Sequence, residues 1–131
     1  MKSKAVWITC ALAALFCGPA ANASVIMTLE QEGGNVVASG SGSLDLADLT
    51  YSGGSYDDPP FVAPADGALV EGNGGFYHVY HSTSISGPAN FGSGSPIRAS
   101  AGTGDPLGFD ISAGEIVVPQ NYVSGALSST A

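Results

Sequence analysis

His78 and His81 are the only histidines in the chain, three positions apart in Phe76-Tyr77-His78-Val79-Tyr80-His81-Ser82-Thr83-Ser84-Ile85, its most β-prone stretch. Imidazole is a common zinc ligand, so this pair is the first place to look for a metal. On a strand, however, side chains alternate, and residues three apart point to opposite faces. His78 shares a face with Phe76 and Tyr80, and His81 with Tyr77 and Val79. One ion cannot reach both without a bulge, so the pair reads as strand histidines beside aromatics, with no metal site assigned.

Nucleophilic catalysis has equally thin support. Serine is abundant, but the hydrolase elbow Gly-x-Ser-x-Gly, set between a strand and a helix, is missing; Gly92-Ser93-Gly94-Ser95 has neither the pattern nor the helix. Carboxylates are plentiful, yet nothing selects two of them as a glycosidase pair. No catalytic residue and no cofactor is expected. Calcium is the weaker alternative, because hard oxygen ligands on loops suit it; Asp57-Asp58 and Asp105 with Asp110 are the candidates, without EF-hand spacing or a calcium-binding repeat. Aromatic rings on a strand suggest a sugar platform, formed by Phe76, Tyr77 and Tyr80 and joined by Tyr51, Tyr56 or Tyr122 only if the fold brings them close. Core packing is the competing use of the same rings.

The elements that must position these residues begin after a leader. Met1-Lys2-Ser3-Lys4 is a basic n-region, and Ala5 to Phe16 is an uncharged, mostly apolar run of twelve residues. That is too short to span a bilayer, which takes about 20 residues. Gly18-Pro19 breaks it, and Ala21-Asn22-Ala23 supplies a small-x-small site, so a signal peptide cleaved between Ala23 and Ser24 is expected. A lipid anchor on Cys17 is disfavoured, because Phe16 stands where a lipobox needs a small residue. Both cysteines, Cys10 and Cys17, and the single tryptophan, Trp7, lie in the leader. The segment from 24 to 131 therefore has no thiol for a disulfide or a zinc site.

That segment carries one cation, Arg98, against all eleven carboxylates of the chain. Phosphate recognition needs clustered lysine and arginine, so nucleic acid and anionic membranes are excluded as expected partners. Leu, Ile, Val and Phe supply 25 of its 108 residues, just above the ~20% below which disorder is expected. Length allows one domain.

Gly and Ser interrupt nearly every segment and helical periodicity is absent, which points to an all-β fold, a small antiparallel β-sandwich rich in loops. Expected strands are Val25–Glu30, Val36–Leu44, Phe61–Ala63, Ala68–Glu71, Phe76–Ile85, Ile97–Ala101, Leu107–Ile111 and Ile116–Val118. Gly33-Gly34-Asn35 is the first hairpin turn. Asp45 to Leu49 reads as one helical turn capped by Asp45. Residues 52–60 read as loop, and Ala126 to Ala131 as a polar stub.

In the stretches VIMTLEQEGGNVVASGSGSLDLADLT (Val25 to Thr50), YSGGSYDDPP (Tyr51 to Pro60), GPANFGSG (Gly87 to Gly94) and IVVPQNYVSGALSSTA (Ile116 to Ala131), the chain resembles the secreted bacterial PEP-CTERM proteins, substrates of exosortase. Members carry a C-terminal Val-Pro-Glu-Pro element, a membrane helix and a basic tail. Here Val118-Pro119-Gln120-Asn121 is a superficial echo of that element, and no sorting signal follows. The resemblance implies a periplasmic or extracellular role near the envelope, exopolysaccharide or biofilm matrix, with no shared catalytic residues. It also implies further strands after Gly125, so the domain is expected to be incomplete. The resulting expectation is a secreted, non-catalytic structural or interaction protein, partnered by extracellular polysaccharide or envelope proteins. The alternative is a carbohydrate-binding module using the aromatic strand face.

Overall fold

The computed structural model describes residues 24–53 and 56–130. The expected leader, including Ala23 of the cleavage pair, lies outside the described residues; Ser24 opens the first strand. Every strand pairing is antiparallel. Two sheets form, and the chain is an all-β, sandwich-like fold.

The first sheet grows from one long hairpin. β1 (Ser24–Glu32) and β2 (Asn35–Ser43) pair without a bulge from Ser24↔Ser43 to Glu32↔Asn35. Gly33, at φ 61°, takes the left-handed conformation that the first position of a type II′ turn demands. Alternation sends Val25, Met27 and Leu29 to one face and Ile26, Thr28 and Glu30 to the other.

The second sheet collects β3 (Thr50–Tyr51), β4 (Tyr56–Asp57), β5 (Phe61–Ala63), β6 (Ala68–Glu71), β7 (Phe76–His81), β8 (Ile97–Arg98), β9 (Leu107–Asp110) and β10 (Glu115–Pro119). Its order is β3-β7-β10-β9-β6-β5-β8, with β4 also on β7. The loop leaving β4, beside β7, brings Asp58 within 3.4 Å of Arg98 on β8. Those elements stand at opposite ends of the strand order, so the sheet curls around the face between them. The inner face of the curl holds Val70, Tyr77, Val79 and Val117, with Phe61 packed alongside. The outer face carries Leu107 and Val118, the largest fully buried side chains, and Leu107 borders the same cleft as Val25 and Met27 of the first sheet.

Three expectations need correction. Asp45 caps no helix: its Oδ1 accepts the Ala47 N–H at 3.0 Å, and Leu49 N–H closes a turn on the Leu46 carbonyl. Aspartate hydrogen-bonds as readily to a two-residue turn as to a helix start, and no apolar periodicity follows to extend one. Residues 52–60 are not all loop, since Tyr56–Asp57 pairs with β7. Ile116–Val118 is a strand as expected, lengthened to Glu115–Pro119 and placed centrally between β7 and β9. The stub is β11 (Leu127–Thr130), which adds to the free side of β2 from Leu127↔Ser43 to Thr130↔Gly40.

A latch explains why so polar a segment pairs. The Tyr122 hydroxyl accepts the Leu44 N–H at 2.7 Å and donates to the Ala126 carbonyl at 2.6 Å. Ser124 Oγ accepts from Leu46 N–H at 2.8 Å and donates to Asp45 Oδ1 at 3.0 Å, and Gly125 N–H donates to the Leu44 carbonyl. The Ala47 amide and the Ser124 hydroxyl together hold the Asp45 carboxyl below its ordinary value. Tyr122→Phe orphans the Leu44 amide and is expected to cost about 1–2 kcal/mol. Urea unfolding checks this, and hydrogen exchange should localise the loss to β11 and the end of β2.

Candidate functional site

Strand alternation divides the aromatic platform read from the sequence. β7 runs without a bulge against β10, so Phe76, His78 and Tyr80 share one face and Tyr77, Val79 and His81 the other. On the first face, Tyr51 of β3 joins them, opposite Tyr80 in register. Its ring lies 5.0 Å from His78 at 63° and 5.4 Å from Tyr80 at 59°. Rings so inclined pack edge to face with one another and offer no common plane. Tyr77, by contrast, is only 6% exposed and belongs to the inner face of the curl. Tyr122 serves the latch.

The inner face opens into a groove of about 460 Å³. Its floor is Val70, Tyr77, Val79 and Val117, with Phe61 at the side, and its rim carries charge. At one end stands the Asp58–Arg98 pair. At the other, Glu115 faces Asp110 across β9 and β10, and His81 across β10 and β7. His81 Nε2 is 3.6 Å from Glu115 Oε1. Asp110 Oδ1 accepts from Ser112 Oγ at 2.8 Å and from Ala113 N–H at 2.9 Å, which fixes the turn leading into β10. Of the floor residues the sequence singles out Tyr77 alone, and as part of a platform with Phe76 and Tyr80, which lie on the opposite face. It passed over Phe61, Arg98 and Glu115, whose only signal was that the single cation and an acid flank apolar strand residues.

The two histidines sit as their spacing required. His81 meets Glu115 on the groove face, while His78 meets the Tyr51 ring on the other. The calcium candidates are dispersed: Asp57 is on β4, Asp58 on Arg98, Asp105 in the loop before β9, and Asp110 in its own turn. Among the described residues, no three His, Cys, Asp or Glu side chains come together as a metal site.

One carboxyl is chemically unusual, and it is not in the groove. Glu71, at the end of β6, is 3% exposed, and neither of its oxygens has a hydrogen-bond partner among the described residues. Burial pushes it up to about 7. Its side chain leaves the second sheet toward β2, where Gly40 makes room: a Cβ there would run into Glu71 Oε1 and lie 3.2 Å from Met27 Cγ.

No family model, curated protein or solved structure matches this chain.

Proposed function

We propose that the chain is an exported, non-catalytic binding domain of the cell envelope or extracellular matrix, holding a neutral polysaccharide in the groove of the curled sheet. The groove carries this reading. It combines an apolar and aromatic floor, suited to the C–H faces of a sugar, with charged side chains that accept from and donate to hydroxyls. Three carboxylates against one guanidinium on its rim disfavour a polyanion and leave a neutral, polyhydroxylated ligand as the fitting class. A non-catalytic role is supported by the separation of features: the one strongly perturbed carboxyl points away from the groove, between the sheets. Export is supported by the basic, apolar and small-residue succession of residues 1–23 and by the resemblance to exosortase substrates. Among the described residues, no helix is long and apolar enough to cross a membrane.

The test is calorimetry and retention on immobilised glycans, comparing neutral with uronate-containing oligosaccharides. Saturable binding to a neutral glycan is expected, with uronates weaker. Arg98→Ala should weaken it about tenfold or more, the scale of one charge-assisted hydrogen bond. Phe61→Leu should weaken it while leaving the fold intact. Failure of every neutral glycan to bind, or binding indifferent to Arg98, refutes the assignment. The aromatic module on Phe76 and Tyr80 then regains precedence if Tyr80→Ala abolishes a retention that Arg98→Ala spares.

A further inference from the structure

We propose that β1 is a self-recognition edge, through which two copies of the chain pair antiparallel about Thr28 and merge their three-stranded sheets. The sheet order β1-β2-β11 leaves β1 at a border, and among the described residues no strand pairs with its outer side. Nine residues run there without a bulge, proline or lysine, the devices that usually blunt such an edge. Leu29 of this strand is 47% exposed, and Ile26 and Val36 more so.

The hydrogen-bond phase selects the register. Glu32 and Asn35 close a two-residue turn, so they form a hydrogen-bonded pair and the pairs alternate from there. Val25, Met27, Leu29 and Gln31 consequently turn their N–H and C=O groups outward. An antiparallel partner can use all four only if odd residues face odd residues. Centring on Thr28 does this over the full strand, setting Met27 against Leu29 and Val25 against Gln31 of the second copy, with roughly eight backbone hydrogen bonds.

Charge selects the same arrangement. Glu30 then faces Ile26, and Glu32 faces Ser24, of the second copy, so no two carboxylates meet. A parallel pairing sets Glu30 beside Glu30 and Glu32 beside Glu32, which is repulsive. With cleavage after Ala23, the α-ammonium of Ser24 lies across from Glu32 of the second copy, twice in the symmetric pair. On the inner face, Met27 and Leu29 cover each other. Occupant and symmetry both follow: the surface complements itself, as a two-fold interface must.

The exported protein is examined by sedimentation across a dilution series and by oxidative crosslinking of single-cysteine variants. Thr28 is exposed on the outer face and would meet its own counterpart in a close, non-hydrogen-bonded pair, the geometry that accepts a disulfide. Thr28→Cys is expected to crosslink about tenfold or more faster than Ile26→Cys, which faces Glu30, because only the former holds its thiols at high effective concentration. Association should strengthen with added salt, which screens the acidic copies from each other. Leu29→Pro removes an outward amide while sparing the bonds to β2, and should leave a monomer with the hairpin intact by circular dichroism. A monomer at every concentration, equal crosslinking at 26 and 28, or a dimer indifferent to Leu29→Pro overturns the proposal.

Discussion

Replacing Glu71 by glutamine is expected to stabilise the protein at pH 8 by roughly 2–3 kcal/mol and to leave it unchanged near pH 4.5. The folded carboxyl titrates near 7 because burial penalises its charged form, whereas in the unfolded chain it returns to its ordinary value of 4.5. Between those values the folded state binds more protons than the unfolded one, so stability falls as pH rises and levels off above about 7. The contribution is complete below pH 4.5 and is lost as pH climbs through the folded value. Glutamine resembles the protonated acid in shape and polarity but cannot ionise, so its profile over this window should be flat. Urea unfolding at half-unit pH steps measures both curves. Parallel curves for the two proteins would refute a buried, ionising Glu71.

Leu107→Ala carries the largest expected cost, about 2–5 kcal/mol for a leucine deleted from a closed core. Leu107 is 1% exposed and sits opposite Glu71 in the β9–β6 register. A domain of this size has only ~5–15 kcal/mol in total, so the variant should approach the unfolding threshold at 37 °C. The two sites are coupled. The void left by the leucine borders the carboxylate, and water entering it would solvate the charge. The pH dependence should therefore flatten as the midpoint drops, which a double-mutant cycle with Glu71→Gln registers as non-additivity.

The parts of this fold legible in the sequence are those where chemistry repeats at the strand period. Val25 to Leu44 shows alternation around Gly33-Gly34, and the three-residue spacing of His78 and His81 already separates their faces. β11 was illegible because Leu127-Ser128-Ser129-Thr130 has no apolar alternation; its pairing depends on backbone bonds and on Tyr122 and Ser124, which act across 78 residues or more. β4 is two residues between glycines and prolines, too short to carry a period. Glu71 ends an apolar run and looks like a surface acid, because only the approach of Gly40 from the other sheet encloses it. The groove combines residues of six strands with one crossing loop, and no local pattern announces a curl that is closed by a contact between distant positions.

That closing contact has a practical consequence. Arg98 is the only lysine or arginine beyond position 4, so a protease specific for basic residues has one target bond in the whole domain, the one to Ala99. The bond is held at the clasp: the Ala99 amide donates to the Pro60 carbonyl at 2.8 Å, while the guanidinium reaches Asp58. Cleavage must wait until this corner opens, and it divides the chain into two pieces of unequal size. The molecule thus carries its own clock for the opening of the curl, read on a gel without any label.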